Sequence, residues 1–250
     1  MKSFLITVAV AYVLIAIAFY SAQRKFLYFP QSSSTLFGEK NFAINIDQET
    51  FSGWVLNEGQ SKALVYYGGN VENIEANIPF FRDSLAHYTV YLIPYRGYGG
   101  NPGSPSEEAL YSDALSIIAS IRPEHDSISV MGRSLGSGIA TYVAANEDID
   151  TLILVTPFDS VENVAREIYW MFPVSLLIKD RYASIDRVQN ISAQTHIFIA
   201  EYDRVIPRQR SDNLVAEFGS RAQSVIIKKA NHNTISEYPA YISALKQALK

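Results

Sequence analysis

No cysteine occurs in the 250 residues. That excludes disulfides, thiolate metal sites and a cysteine nucleophile. Basic charge is also scarce: 21 Lys and Arg stand against 25 Asp and Glu, for a net charge of −4, and no Lys/Arg run exceeds two residues. A nucleic-acid partner is not expected from such a balance. No repeat of 20–50 residues and no low-complexity tract interrupts the chain, and Gly68-Gly69-Asn70 lacks the Gly-Lys-Ser/Thr that would make it a phosphate loop. Only four histidines are available as general bases. Nothing here calls for a metal or an organic cofactor. The length suits one large domain, with or without an appendage.

One long hydrophobic run is present. Phe4 to Ala22 contains no charge and no proline. Nineteen helical residues extend about 28 Å, close to a hydrocarbon core of roughly 30 Å. Residues 1–24 are therefore expected to form a single-pass membrane anchor. A cleaved secretory signal is the alternative, since Ala16-Ile17-Ala18 has a cleavage-site form. Arg24 and Lys25 follow, then Phe26-Leu27-Tyr28-Phe29-Pro30, an aromatic stretch suited to a membrane interface. Lys2 on one side and Arg24 with Lys25 on the other give no clear orientation.

From about residue 40, strand and helix patterns alternate. Strands are expected at 42–46, 51–56, 63–67, 89–93, 127–131, 151–155, 195–200 and 224–228. Helical patterns lie at 74–85, 106–120, 135–145, 207–218 and 235–249. Strands alternating with helices imply a mostly parallel central sheet with helices on both faces. Ligands in such sheets bind beyond the carboxyl ends of the strands.

Candidate chemistry falls at those ends. Gly132-Arg133-Ser134-Leu135-Gly136 fits G-x-S-x-G, the turn that lifts a nucleophilic serine off a strand. A serine hydroxyl needs a base. His232 follows the last strand, whereas His87, His125 and His196 sit before, outside or within strands and are taken as structural. The base needs a carboxylate partner. Asp203 follows strand 195–200 and is the first candidate; Asp159, after strand 151–155, is the rival. A tetrahedral intermediate needs two N–H donors, expected from Leu135 and from the Gly69–Asn70 loop. The long segment 158–194 is expected to be a lid-like insertion, and Trp170 and Phe172 within it are candidate pocket residues.

Ser134, Asp203 and His232 in this order, with Tyr67-Gly68-Gly69-Asn70, Pro94-Tyr95-Arg96-Gly97-Tyr98-Gly99, Gly103-Ser104-Pro105-Ser106-Glu107 and Thr156-Pro157-Phe158, resemble the α/β-hydrolase serine hydrolases. The resemblance covers about residues 25–250 and is closest to a membrane-anchored subgroup related to protein depalmitoylases. Three positions differ from that pattern: Gly68, Pro94 and Asn231 stand where His, Asp and Gly are frequent. The resemblance implies an α/β-hydrolase fold over 25–250 and a catalytic triad Ser134–Asp203–His232. It also implies hydrolysis of an acyl ester or thioester through an acyl-serine. A prolyl-oligopeptidase-like peptidase and a non-catalytic membrane-bound interaction module are the alternatives.

Overall fold

The computed structural model describes residues 1–34 and 36–250. Helix α1 (Lys2–Leu27) comes first. Eight strands follow: β1 (Phe42–Ile46), β2 (Glu49–Leu56), β3 (Lys62–Tyr67), β4 (Thr89–Leu92), β5 (Ser127–Arg133), β6 (Thr151–Val155), β7 (Gln194–Ala200) and β8 (Ala222–Ile227). They form one sheet in the order β1-β2-β4-β3-β5-β6-β7-β8. β2 is antiparallel to β1 and to β4; every other pairing is parallel.

The central strands are buried on both faces, as their unbroken apolar runs imply. Successive side chains still separate by period two. Leu152, Leu154, Ile197 and Ile199 enter one core with α3 (Glu107–Ile121) and α4 (Leu135–Asn146). Ile153, Val155, Phe198 and Ala200 enter the other with α2 (Ile78–Ser84) and α8 (Pro239–Ala248). Ser106 caps α3, its hydroxyl accepting from Ala109 N–H at 3.2 Å, and Glu107 and Glu108 occupy the positive first turn. Helix α7 (Arg208–Phe218) lies between β7 and β8.

Three expectations are revised. The helix expected at 235–249 is broken: a single turn at Ile235–Glu237 precedes α8, because Pro239 lacks the N–H that would continue it. The boundary expected after residue 24 falls inside α1, which runs on to Leu27 because nothing at Arg24 or Lys25 ends a helix. The 158–194 segment is not irregular throughout. It carries α5 (Val161–Ile168), capped by Ser160, and α6 (Val174–Leu177), which together form a cap.

α1 is a helix long and apolar enough to cross a membrane, and none of its residues is buried. Its C-terminal half nevertheless touches the cap. Arg24 Nε and Nη2 donate to the two oxygens of Asp180 at 2.8 and 3.1 Å. Gln23 donates to Leu177 O and accepts from Lys179 N–H. Tyr28 and Tyr182 share a buried hydroxyl contact at 2.8 Å.

The tightest constraint lies where α4 meets β3. A Cβ on Gly136 would stand 2.0 Å from Tyr67 O, and one on Gly132 would stand 2.2 Å from Gly136 O. We expect Gly136→Ala to destabilise the protein by about 3 kcal/mol through backbone displacement. Gly59→Ala, at φ +91° but with open space around it, should cost about 1 kcal/mol. Thermal melts of the detergent-solubilised chain distinguish the two.

Candidate functional site

The elbow between β5 and α4 is strained. Ser134 sits at φ 50°, ψ −118°, a region a side-chain-bearing residue occupies only when its surroundings enforce it. They do so here: Ser134 N–H donates to Val155 O at 2.9 Å, while Ser134 O accepts from Ser137 N–H and Oγ. The backbone is thus tied on both sides, and the absence of a β-carbon at Gly132 and Gly136 lets the turn close.

The fold brings His232 and Asp203 together. His232 Nδ1 lies 2.8 Å from Asp203 Oδ2, and both side chains are almost fully buried. Asp203 Oδ1 accepts from the N–H groups of Val205 and Ile206 at 2.9 and 2.8 Å, which fixes the carboxylate. Asn231, at the position where the resemblance has glycine, accepts from Asn233 and Thr234 N–H and folds the turn around His232. Arg133, the variable residue of the elbow, donates to the carbonyls of His232 and Asn233. That contact sets the histidine loop beside the serine turn. No periodicity or spacing in the sequence marked Arg133 for this task.

Asp159 does not approach His232 by any hydrogen bond among the described residues. It is fully buried. Its oxygens accept from Ser160 N–H, Asn163 Nδ2, Asn213 Nδ2 and Arg210 Nη1. It holds the base of the cap to α7. His125 bonds Tyr91 and Gln60, and His196, within β7, is held below its ordinary pKa by burial.

The donor loop after β3 needs one correction. Gly69 N–H is already taken, donating to Glu72 Oε2 at 2.6 Å. Glu72 also accepts from Tyr66 and Asn77 and lies 3.7 Å from Arg133. Asn70 N–H has no partner among the described residues, and Asn70 lines the same cavity as Ser134 and Leu135. Leu135, first residue of α4, carries one of that helix's free N–H groups. The loop is braced by the Tyr-Arg-Gly-Tyr-Gly segment: Tyr95 donates to Gly68 O at 2.7 Å, and Tyr98 to Asn70 O at 2.9 Å. Burial pushes the Tyr98 hydroxyl up to about 12 and Tyr95 well above its usual value, so both remain donors at neutral pH. The end of α1 joins in, with Asn70 Nδ2 donating to Leu27 O and Phe29 N–H to Asn70 O.

A cavity of about 340 Å³ rises from Ser134 and Leu135. One wall is α1, through Phe19, Tyr20 and Phe26; the other is the cap, through Val164, Phe172 and Ile178. Phe172, a candidate pocket residue, lines this cavity. Trp170 does not: it is 78 % exposed and outside the cavity lining. It sits on the turn after α5, where the chain reverses and turns its ring outward. The contribution of α1 to the cavity was not legible from its composition, which signals only an apolar helix.

No family model matches the chain. Protein bem46 of Schizosaccharomyces pombe is 28% identical over 255 residues, covering 90% of this chain and 85% of that protein. Lysophosphatidylserine lipase ABHD12 of Danio rerio is 33% identical over 147 residues, covering 51% of this chain and 38% of its own length. Among solved structures, the Pyrococcus furiosus esterase Pf2001 superposes with a TM-score of 0.70 at 15% identity, covering 89% of this chain and 96% of that one. The fold is that of the α/β-hydrolases.

Asp159 is fully buried and accepts from Arg210, Asn163 and Asn213, so Asp159→Asn should cost about 3 kcal/mol by removing a buried charged acceptor, although Arg210 keeps Glu167 at 3.4 Å. Guanidinium denaturation of the two proteins checks this. A loss below about 1 kcal/mol would mean that the ion pair does not hold the cap base.

Proposed function

We propose that this chain, with its α/β-hydrolase fold, is a membrane-anchored serine hydrolase that cleaves carboxylic ester or thioester bonds through an acyl-Ser134 intermediate. The observation that carries this reading is the 2.8 Å Asp203–His232 contact beside a serine held on a strained turn at the floor of an apolar cavity. α1 serves as the single-pass anchor, and 28–250 as the catalytic domain with the cap inserted at 158–194.

In this mechanism His232 Nε2 takes the Ser134 Oγ proton as Oγ attacks the acyl carbonyl. Asp203 accepts from Nδ1–H, holds the tautomer and stabilises the imidazolium. The N–H groups of Leu135 and Asn70 receive the oxyanion. Collapse expels the alcohol or thiol, which leaves with the proton from His232. Water then loses a proton to His232 as its oxygen attacks the acyl carbonyl; collapse breaks the bond to Ser134 Oγ, which takes that proton back from His232, and the carboxylic acid is released. The acyl chain occupies the cavity between α1 and the cap. The name of the zebrafish relative, a lysophosphatidylserine lipase, denotes hydrolysis of an acyl ester, in keeping with that class of bond. The yeast and archaeal likenesses support the fold; the acyl preference rests on the cavity.

Ser134→Ala and His232→Ala should each remove nearly all turnover of a water-soluble ester, and Ser134→Ala should abolish fluorophosphonate labelling. Asp203→Asn should lower kcat on the order of ten-thousandfold, while Asp159→Asn, assayed below its melting temperature, stays active. A fully active Asp203→Asn beside a dead Asp159→Asn would move the acid to Asp159.

A second measurement concerns the cavity. kcat/KM should rise from acetyl to medium-chain esters by up to about fourfold per methylene buried. Phe172→Ala should flatten that rise with little effect on the acetyl ester. A wild-type profile falling steadily beyond acetyl would sink the acyl-pocket reading.

A further inference from the structure

The exposed apolar surface of this protein is confined largely to two touching elements. On α1, Phe4, Leu5 and Leu14 are 60–70 % exposed. On the cap, Ile168, Trp170, Met171 and Leu176 are 57–83 % exposed. Apolar patches this continuous on a water-facing surface are rare.

The two elements are packed along their length. Tyr12 stacks on Phe172 with ring centroids 5.2 Å apart, and its hydroxyl donates to Met171 O at 2.8 Å. Phe19 lies 5.7 Å from Tyr169 and 5.5 Å from Phe172. Farther along come the polar contacts of Gln23 and the Arg24–Asp180 pair. Lys179 Nζ stands 4.2 Å over the Tyr20 ring.

Charge stops on both elements at one level. α1 has no charged residue from Ser3 to Gln23, then Arg24 and Lys25; the cap has none from Ile168 to Ile178, then Lys179, Asp180 and Arg181. Arg24 and Asp180 are bonded to each other, so the two boundaries coincide in space. From Arg24 back to Tyr12 the helix rises about 18 Å. Half of a hydrocarbon core is about 15 Å. With the charged level at the headgroups, the Tyr12–Phe172 contact reaches the middle of the bilayer. An anchor that spans a membrane therefore carries the cap tip into the lipid with it, unless the contacts of Tyr12 and Phe19 are given up.

We infer that the cap is seated in the same leaflet as α1, and that the cavity between them takes the acyl chain of a membrane-resident ester directly from the bilayer. The cavity fits this placement. Phe19 and Phe172 line its part beside the apolar level, and Asn70, next to Leu27, lines the part near Ser134. An acyl tail would lie along the hydrocarbon and its ester bond at the headgroup level, on the serine. The lipid substrate rests on the hydrolase reading above; the seating of the cap does not.

Trp170 provides the probe, because the only other tryptophan, Trp54, is buried in the domain. The full chain is placed in phosphatidylcholine bilayers, with and without bromine on the acyl chains. Bromolipid should quench the emission, and Trp170→Phe should abolish that quenching. Trp170 emission quenched by aqueous iodide and untouched by bromolipid would overturn the seating. In the second arm, Met171→Asp/Leu176→Asp, two residues outside the cavity lining, should lower hydrolysis of a long-chain monoacyl ester in the same bilayer on the order of tenfold or more. Hydrolysis of an acetyl ester in water should stay unchanged. Equal rates for the double variant and the wild type on the bilayer ester would overturn the entry route. A wild type inactive on the acetyl ester would instead remove the hydrolase reading and the lipid substrate with it, with the seating decided by the quenching.

Discussion

Two backbones come into contact where α4 leaves the elbow, and the site depends on that approach. Gly136 rests against Tyr67 O and Gly68 O at distances that leave no room for a β-carbon. Only then can Leu135, at the head of α4, and Asn70, at the end of the β3 loop, line one cavity with Ser134. The same closeness holds Ser134 at positive φ, a strained state sustained by the hydrogen bonds to Val155 and Ser137. The strain is confined to one residue between two regular elements, so the sheet and the helix absorb it without distortion of their own ladders.

Around that contact lie layers of polar bracing. Tyr95 and Tyr98 hold the Gly68–Asn70 loop from one side, and Glu72 holds Gly69 from the other. Arg133 reaches from the elbow to the histidine loop, which joins two segments about a hundred residues apart in sequence. Burial raises the tyrosine pKa values and so keeps these donors protonated at neutral pH. The bracing is made mostly of hydroxyl and guanidinium donors on backbone carbonyls. Such bonds fix loop positions through backbone carbonyls rather than through particular neighbouring side chains.

α1 is part of this architecture. Its last turns pass Arg24 to Asp180 and Leu27 O to Asn70, so the helix that resembles a membrane tether is bonded both to the cap and to the donor loop. Asp180 in turn accepts from Glu107 N–H, while Glu107 accepts from Arg181 and Tyr182 N–H. A displacement of α1 would therefore be felt at the start of α3 and at both walls of the cavity.

The amino-acid order by itself determined the alternation of strands and helices, the apolar N-terminal helix and the candidate serine, histidine and aspartate. Period-two and helical patterns, glycines flanking a serine, and titratable residues just past strands are local signals, and strand bounds came within two residues at every end. What lay beyond it was decided by contacts between distant segments. Chain order ranked Asp203 ahead of Asp159, but only the folded sheet brings the former to His232 and the latter to Arg210. Gly69 and Asn70 are neighbours with equal claim as donors until Glu72 occupies one of them. Trp170 and Phe172 are two aromatics in one turn, and the packing of Phe172 on Tyr12 and Phe19 sends one inward and leaves the other out. The cavity belongs wholly to the tertiary structure, because one of its walls is a helix more than a hundred residues earlier in the chain, and no sequence window contains both sides.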